Sequence, residues 1–193
     1  MRGLFYATVV LASAGVTASP VTYTIDPDHT HPAFEADHLD GLSVWRGIFR
    51  TTHGRITLDR AAQSGSVQIE VEVASVDFGN EQLNETAAHA SAPPIFEAQR
   101  YPTARYEGKL TQFVRGVPTR VTGTLEMHGV SRPLQLKIDS FKCLQHPLRK
   151  REVCGADASG TLNRADFGIK VGQGYGFRMG VRLHIQVEAI RAG

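Results

Sequence analysis

The sequence predicts an all-β fold: an antiparallel barrel or sandwich of about eight strands with one short helix. Three observations predict it. Apolar and polar residues alternate with a period of two along most of the chain, most clearly where Val67, Ile69, Val71 and Val73 interleave with Gln68, Glu70 and Glu72. Turn residues punctuate this alternation at even intervals. Only the stretch from Asn80 to Ala90 adopts a helical period, which excludes the regular strand–helix alternation of a parallel α/β sheet.

The elements follow in order. Arg2 precedes an uncharged run from Gly3 to Val16, and Val16-Thr17-Ala18 are small residues of the signal-peptidase type. Residues 1–18 are therefore expected to be a secretory signal peptide, with 19–193 a single exported domain. The run falls short of the ~20 residues a membrane-spanning helix needs. Val21 to Ile25 alternates cleanly, and Asp26 to Pro32 is turn-rich. Ala33 to Leu39 reads as a second strand, with Phe34, Ala36 and His38 on one face. Val44–Arg50 and Gly54–Leu58 form a bent strand or a hairpin, with Gly47 and Gly54 marking bulges or close approaches. Ser66 to Val76 is the clearest strand.

Glu81, Gln82, Leu83, Glu85, Ala87 and Ala88 favour a helix that Pro93-Pro94 stops. Thr103 to Leu110 returns to strand. Val121 to Met127 and Leu134 to Ile138 make a hairpin joined through His128 to Pro133. Phe141 to Gly155 is expected to be a loop bracketed by the two cysteines. Gly160–Arg164 and Val181–Ala189 supply the last strands.

Composition narrows the function. With 193 residues, 41% hydrophobic and 21% charged, the chain is long enough for a substantial core. A formal charge of +2, with Arg149-Lys150-Arg151 the one dense basic cluster, argues against a nucleic-acid partner. Cys143 and Cys154, an even pair in an exported chain, favour a disulfide. A metal pair helped by His146, or free thiols, are the alternatives.

A closed sheet of about eight strands leaves an interior that side chains just fill, or that holds one ligand. The bulky candidates for its inward face are Phe34, Trp45, Phe49, Tyr106, Leu125, Met127, Leu136, Phe167, Phe177 and Leu183. Small residues at inward positions, Ala36, Ala104, Gly108 and Gly123, favour some empty volume.

Five segments carry a resemblance. Y-T-I-D-P-D-H-T-H-P-A-F-E-A-D-H (Tyr23–His38), G-I-F-R-T-T-H-G-R-I-T-L-D (Gly47–Asp59), Y-P-T-A-R-Y (Tyr101–Tyr106), G-T-L-E-M-H-G-V-S-R-P-L (Gly123–Leu134) and R-A-D-F-G-I (Arg164–Ile169) resemble, in order and spacing, the motifs of the YceI-like family. The resemblance implies an extended antiparallel eight-stranded lipocalin-like β-barrel. It also implies a periplasmic protein that binds a polyisoprenoid lipid, such as ubiquinone with its prenyl chain. The segment from Cys154 resembles an exported subset of the family with a cysteine pair. At His89 to Phe96 the chain departs from the family, reading H-A-S-A-P-P-I-F, and Pro93-Pro94 is expected to alter the barrel entrance.

On this reading the inward residues contact the lipid tail, while His38, Tyr106 and Arg164 sit at the mouth with the head group. No cofactor or metal is expected beyond the bound lipid. A membrane electron-transport protein is the expected partner, and a homodimer is a further expectation. Two other readings stay open. His29, His31 and His38, with Asp26 or Asp28, offer a metal or acid–base cluster. A structural or stress protein with a filled barrel would hold neither lipid nor metal. No G-x-S-x-G elbow, H-E-x-x-H helix or glycine-rich phosphate loop occurs, so the chain is not expected to be an enzyme.

Overall fold

A computed structural model describes residues 19–89 and 95–193. The expected signal peptide and Pro93-Pro94 lie outside them. Eleven strands, ordered almost as they occur in the chain, close into one antiparallel barrel. The first three staves each contain two strands, so eight staves complete the wall. Stave one is β1 (Val21–Ile25) with β2 (His31–His38), stave two β3 (Ser43–Phe49) with β4 (Thr52–Asp59), and stave three β5 (Ser64–Glu72) with β6 (Val76–Asp77). There follow β7 (Thr103–Val114), β8 (Val117–Met127), β9 (Val130–Gln145), β10 (Glu152–Asn163) and β11 (Gly180–Arg191). β11 closes the barrel by pairing with both β1 and β2, Ile25 against Ala189 and Phe34 against Leu183.

The three breaks have local causes. In stave one, Pro27 sets a 3-10 turn over Pro27–His29, and the Asp26 carboxylate accepts from the Asp28 N–H at 3.3 Å. Thr30 then substitutes for a backbone partner. Its hydroxyl donates to the Glu188 carbonyl and accepts from the Glu188 N–H, each at 3.1 Å. In staves two and three the breaks face each other, with the Arg50 N–H donating to the Ser75 carbonyl at 3.1 Å and the Thr51 N–H to the Ser75 hydroxyl at 3.1 Å. The bent strand expected over Val44–Leu58 is therefore β3 and β4 joined at Arg50-Thr51. Gly47 and Gly54 are both close approaches: a Cβ on Gly47 would stand 2.5 Å from the Phe34 ring, and one on Gly54 2.1 Å from the Gln68 carbonyl.

Two expected connections are shorter than the sequence suggested. β8 and β9 join through His128 and Gly129 alone, both at positive φ (54° and 72°), the backbone of a tight type I′ turn. Pro133 lies inside β9, opposite Thr124. The stretch Phe141–Gly155 is a hairpin rather than a loop. β9 and β10 continue pairing up to Gln145 opposite Glu152, leaving residues 146–151 as the turn. The cysteines were read as bracketing a loop because the alternation fades there, whereas the partner strand supplies the order.

The one α-helix among the described residues, α1 (Glu81–His89), crosses the end of the barrel where β2 ends and β3 begins. Asn80 caps it by accepting from the Leu83 N–H at 2.9 Å. Ala87 and Ala88 are buried against Val73, Val76, Ala98 and Ala104. The following segment is tied to the helix, the Phe96 N–H donating to the Ala87 carbonyl at 3.0 Å and the Ala98 N–H to the Ala88 carbonyl at 2.7 Å. Inside the barrel several inward side chains, among them Leu125, Met127, Leu183 and Ile185, are only partly buried. A packed core would bury them fully. The space they face is a cavity.

Candidate functional site

The interior holds two adjoining chambers. Chamber 1, of about 210 Å³, occupies the half of the barrel away from α1, and chamber 2, of about 300 Å³, lies under α1. Phe49, Phe96, Met127, Leu162 and Leu183 line both chambers and mark where they meet. Together the volumes fall in the range of small-molecule sites, roughly 300–1,000 Å³. The barrel is hollow, so the filled-barrel reading does not describe it.

The strands create this lining by simple alternation. β8 sends Val121, Leu125 and Met127 inward, β9 sends Leu134, Leu136 and Ile138, and β11 sends Leu183, Ile185, Val187 and Ala189. No charged side chain lines chamber 1 among the described residues. Of its polar groups, Tyr23 donates to the Glu152 carboxylate at 2.9 Å and Tyr106 to the Leu134 carbonyl at 3.1 Å. Burial pushes the Tyr106 hydroxyl up to about 12. The Tyr23 hydroxyl is also raised, first by burial and then by its bond to Glu152.

Chamber 2 is aromatic. The Phe34 ring lies 5.6 Å from both Phe49 and Phe78 and 6.3 Å from Phe96, centroid to centroid. Ring pairs at these separations attract beyond their burial. Gly47 leaves the room that the Phe34 ring fills. Asp37 and Arg164 are the charged residues of this lining. Arg164 is buried, and its Nη1 donates to the Ile169 carbonyl at 3.2 Å. Burial lowers its pKa, while Asp37 pulls the other way.

The structure brings together most of the residues singled out from sequence. Tyr106, Leu125 and Leu136 line chamber 1, Phe34, Trp45, Arg164 and Phe177 line chamber 2, and Phe49, Met127 and Leu183 line both. Three residues lie elsewhere than expected. Phe167 is buried in the 3-10 turn Arg164–Phe167 and reaches neither chamber, because that turn rotates it out of the strand alternation. His38 stands behind the wall of chamber 2, stacked on Trp45 at 4.7 Å, edge-on to Phe177 at 5.1 Å, with Nδ1 3.2 Å from the Ser43 hydroxyl. Tyr106 was also expected at the mouth; it lies deep in chamber 1 instead. Arg164 holds the Ile169 carbonyl.

Several lining residues escaped the sequence reading. Val67, Ile69 and Val71 were read as one face of a strand, and that alternation was the signal that they line chamber 1. Phe78, Ile95 and Phe96 carry no periodicity, and only the tertiary path of the segments around α1 brings them to chamber 2.

The histidine cluster does not assemble. His29 Nδ1 is 3.0 Å from an Asp26 oxygen that also accepts from Arg149 at 2.8 Å. His31 and His38 lie on β2 and join no such group among the described residues, His38 being stacked on Trp45. Asp26, His29 and Glu188 do lie close together, but Arg149 already supplies the positive charge there. The expected disulfide is present: Cys143 and Cys154 are direct cross-strand partners on β9 and β10 and are bonded. The alternative of a metal pair with His146 is thereby set aside.

The geometry agrees with what the chain resembles. A family model described as the YceI-like domain matches residues 23–189. A UPF0312 protein of Pseudomonas aeruginosa (strain LESB58) is 29% identical over 191 residues, 96% of each chain. One from Pseudomonas syringae pv. tomato (strain ATCC BAA-871 / DC3000) is 31% identical over 163 residues, 83% of this chain and 82% of its own. Among solved structures, Burkholderia cenocepacia BcnA superposes with a TM-score of 0.63 at 19% identity, covering 86% of this chain and 99% of that one. A polyisoprenoid binding domain from Saccharophagus degradans superposes with a TM-score of 0.61 at 15% identity, covering 89% and 99%. With one family model matched across nearly the whole barrel, the chain belongs to the YceI-like family.

Proposed function

We propose that the protein is an exported, periplasmic binding and carrier protein for a polyisoprenoid lipid, such as ubiquinone or another prenyl lipid, held inside the barrel. The observation that carries this reading is the pair of adjoining, hydrocarbon-lined chambers. A solved barrel of the same shape is described as a polyisoprenoid binding domain, which supports the reading. Burying about 300 Å² of prenyl hydrocarbon at about 25 cal/mol per Å² releases about 7 kcal/mol before ordering costs. Such a site needs shape and an apolar lining, and no catalytic group. Phe34, Trp45, Phe49, Leu125, Met127, Leu136, Phe177 and Leu183 would touch the lipid. The expected signal peptide and the disulfide suit an oxidising compartment. In this role the cargo exchanges with the membrane, where an electron-transport protein receives it.

Organic extraction of the purified native protein followed by mass spectrometry is the test, and a prenyl lipid in near-stoichiometric amount is the expected result. A barrel that yields no lipid and takes up none from prenyl-lipid vesicles would sink the reading. Leu125→Arg and Met127→Arg should abolish the bound lipid while circular dichroism shows the sheet intact.

A further inference from the structure

Chamber 2 contains a buried cation with unused donors. Arg164 is 9% exposed, and its Nε is buried without a partner. Its hydrogen bond among the described residues is the one from Nη1 to the Ile169 carbonyl. A guanidinium carries five N–H donors and no acceptor. Nη1 has thus found one bond while Nε is cut off from water without one, an arrangement that costs free energy unless an acceptor reaches the remaining donors. Asp37 shares the lining, but its Oδ2 accepts from the Arg178 backbone N–H at 3.0 Å.

Chamber 1 offers the opposite environment. It has no charged lining, and the hydroxyls of Tyr23, Thr30 and Tyr106 are already bonded to the protein, so that among the described residues only the fully buried Thr52 hydroxyl is without a partner. A polar head placed there would lose its hydration with little in return, whereas a hydrocarbon tail loses nothing.

We propose that Arg164 is the head-group anchor of the cavity, so that a bound prenyl lipid lies tail-first in chamber 1 with its head in chamber 2. This rests on the lipid-binding reading above. The head is one that presents acceptor oxygens, a phosphate that the planar guanidinium fork can hold by two bonds or a quinone carbonyl that it can hold by one. Trp45, the chain's single tryptophan, lines the same chamber.

The test uses delipidated protein and three probes with short apolar tails: farnesyl diphosphate, decylubiquinone and the headless hydrocarbon farnesene. Each displaces a fluorescent apolar dye from the barrel. Arg164→Gln should weaken a headed probe by about tenfold or more and leave farnesene within about twofold. Loss confined to farnesyl diphosphate identifies a phosphate head, and loss confined to decylubiquinone a quinone. Arg164→Lys should restore part of the diphosphate affinity while leaving farnesene unchanged, whereas a purely structural bond to Ile169 would move headed and headless probes together. Equal loss for headed and headless probes, or no loss at all, overturns the assignment while leaving lipid binding intact. Should Arg164→Gln fail to fold, the unmodified protein decides. Decylubiquinone is expected to quench Trp45 as it binds, and saturation without quenching puts the head elsewhere. If none of the probes binds the unmodified protein, the lipid-binding reading itself falls.

Discussion

Tyr106 stands among the hydrocarbon of chamber 1 with its hydroxyl turned into the wall, on the Leu134 carbonyl. The sequence placed it on an inward face, correctly, but at the mouth. Its depth depends on the register of β7 against β8, where it faces Leu125, and register between strands is not written in either strand alone. Its burial has a pH consequence. An exposed tyrosine in the unfolded chain ionises near pH ~10, whereas the folded group does so only at about 12. The stabilisation is therefore complete below pH ~10 and is lost as the pH rises towards ~12. Urea unfolding at pH 9 and pH 11 should show the native protein weakening more than the Tyr106→Phe variant. An identical loss in both would mean that Tyr106 already ionises in the fold. Arg164 illustrates the reverse limit. Its motif was visible, but its contact with the Ile169 carbonyl follows from a 3-10 turn that period-two reasoning does not anticipate.

Among the elements, the β9–β10 hairpin and α1 were read with different success. The hairpin was taken for a loop, since its residues do not alternate cleanly, and pairing with a neighbouring strand is what keeps it extended. Cys143 and Cys154 pin it near its tip, with eleven residues of separation in sequence. Closing a loop of that size restricts the unfolded chain by about 3 kcal/mol. Reduction, or the double substitution Cys143→Ser with Cys154→Ser, should lower unfolding stability by about 2–3 kcal/mol without loss of the barrel. Denaturant titration with and without reductant measures it, and a change below about 0.5 kcal/mol contradicts the entropic account. Helix α1 was legible because its composition and its Asn80 cap act locally. Its attachment was not. Asp77, at the end of β6, accepts from the Gly79 N–H at 2.7 Å and the Asn84 side chain at 2.9 Å, and also pairs with Arg50. The Gly79 N–H, then Asn84 and Arg50, hold its carboxyl at about 2. Gly79 is a local partner, but Asn84 comes from α1 and Arg50 from the break between β3 and β4, so only the folded chain brings all three together.

At the scale of the whole molecule, a closed wall around two chambers makes ligand and stability one question. A lipid that binds only the folded barrel adds about 2.7 kcal/mol at a hundredfold excess over its dissociation constant. For a domain of this size that raises the melting temperature by about 5–10 °C. Calorimetry before and after delipidation, with a prenyl lipid added back, should show the fall and its recovery. Equal melting temperatures in all three samples would mean that the cavity is not the binding site. Several inward residues, Leu125, Met127, Leu183 and Ile185 among them, are only partly buried, so a ligand has apolar surface left to cover.

Alternation, turn chemistry and composition determined the all-β class, the one α-helix among the described residues and the inward faces of most strands, and favoured the pairing of the cysteines. Those are properties of a strand or a turn by itself, or of the residue count. The folded chain decided whether the barrel was hollow, how its space divided into two chambers, and which polar groups remained unpartnered inside it. Strand register, the broken staves and the path around α1 settle those matters, and each depends on residues far apart in sequence that meet only when the wall closes.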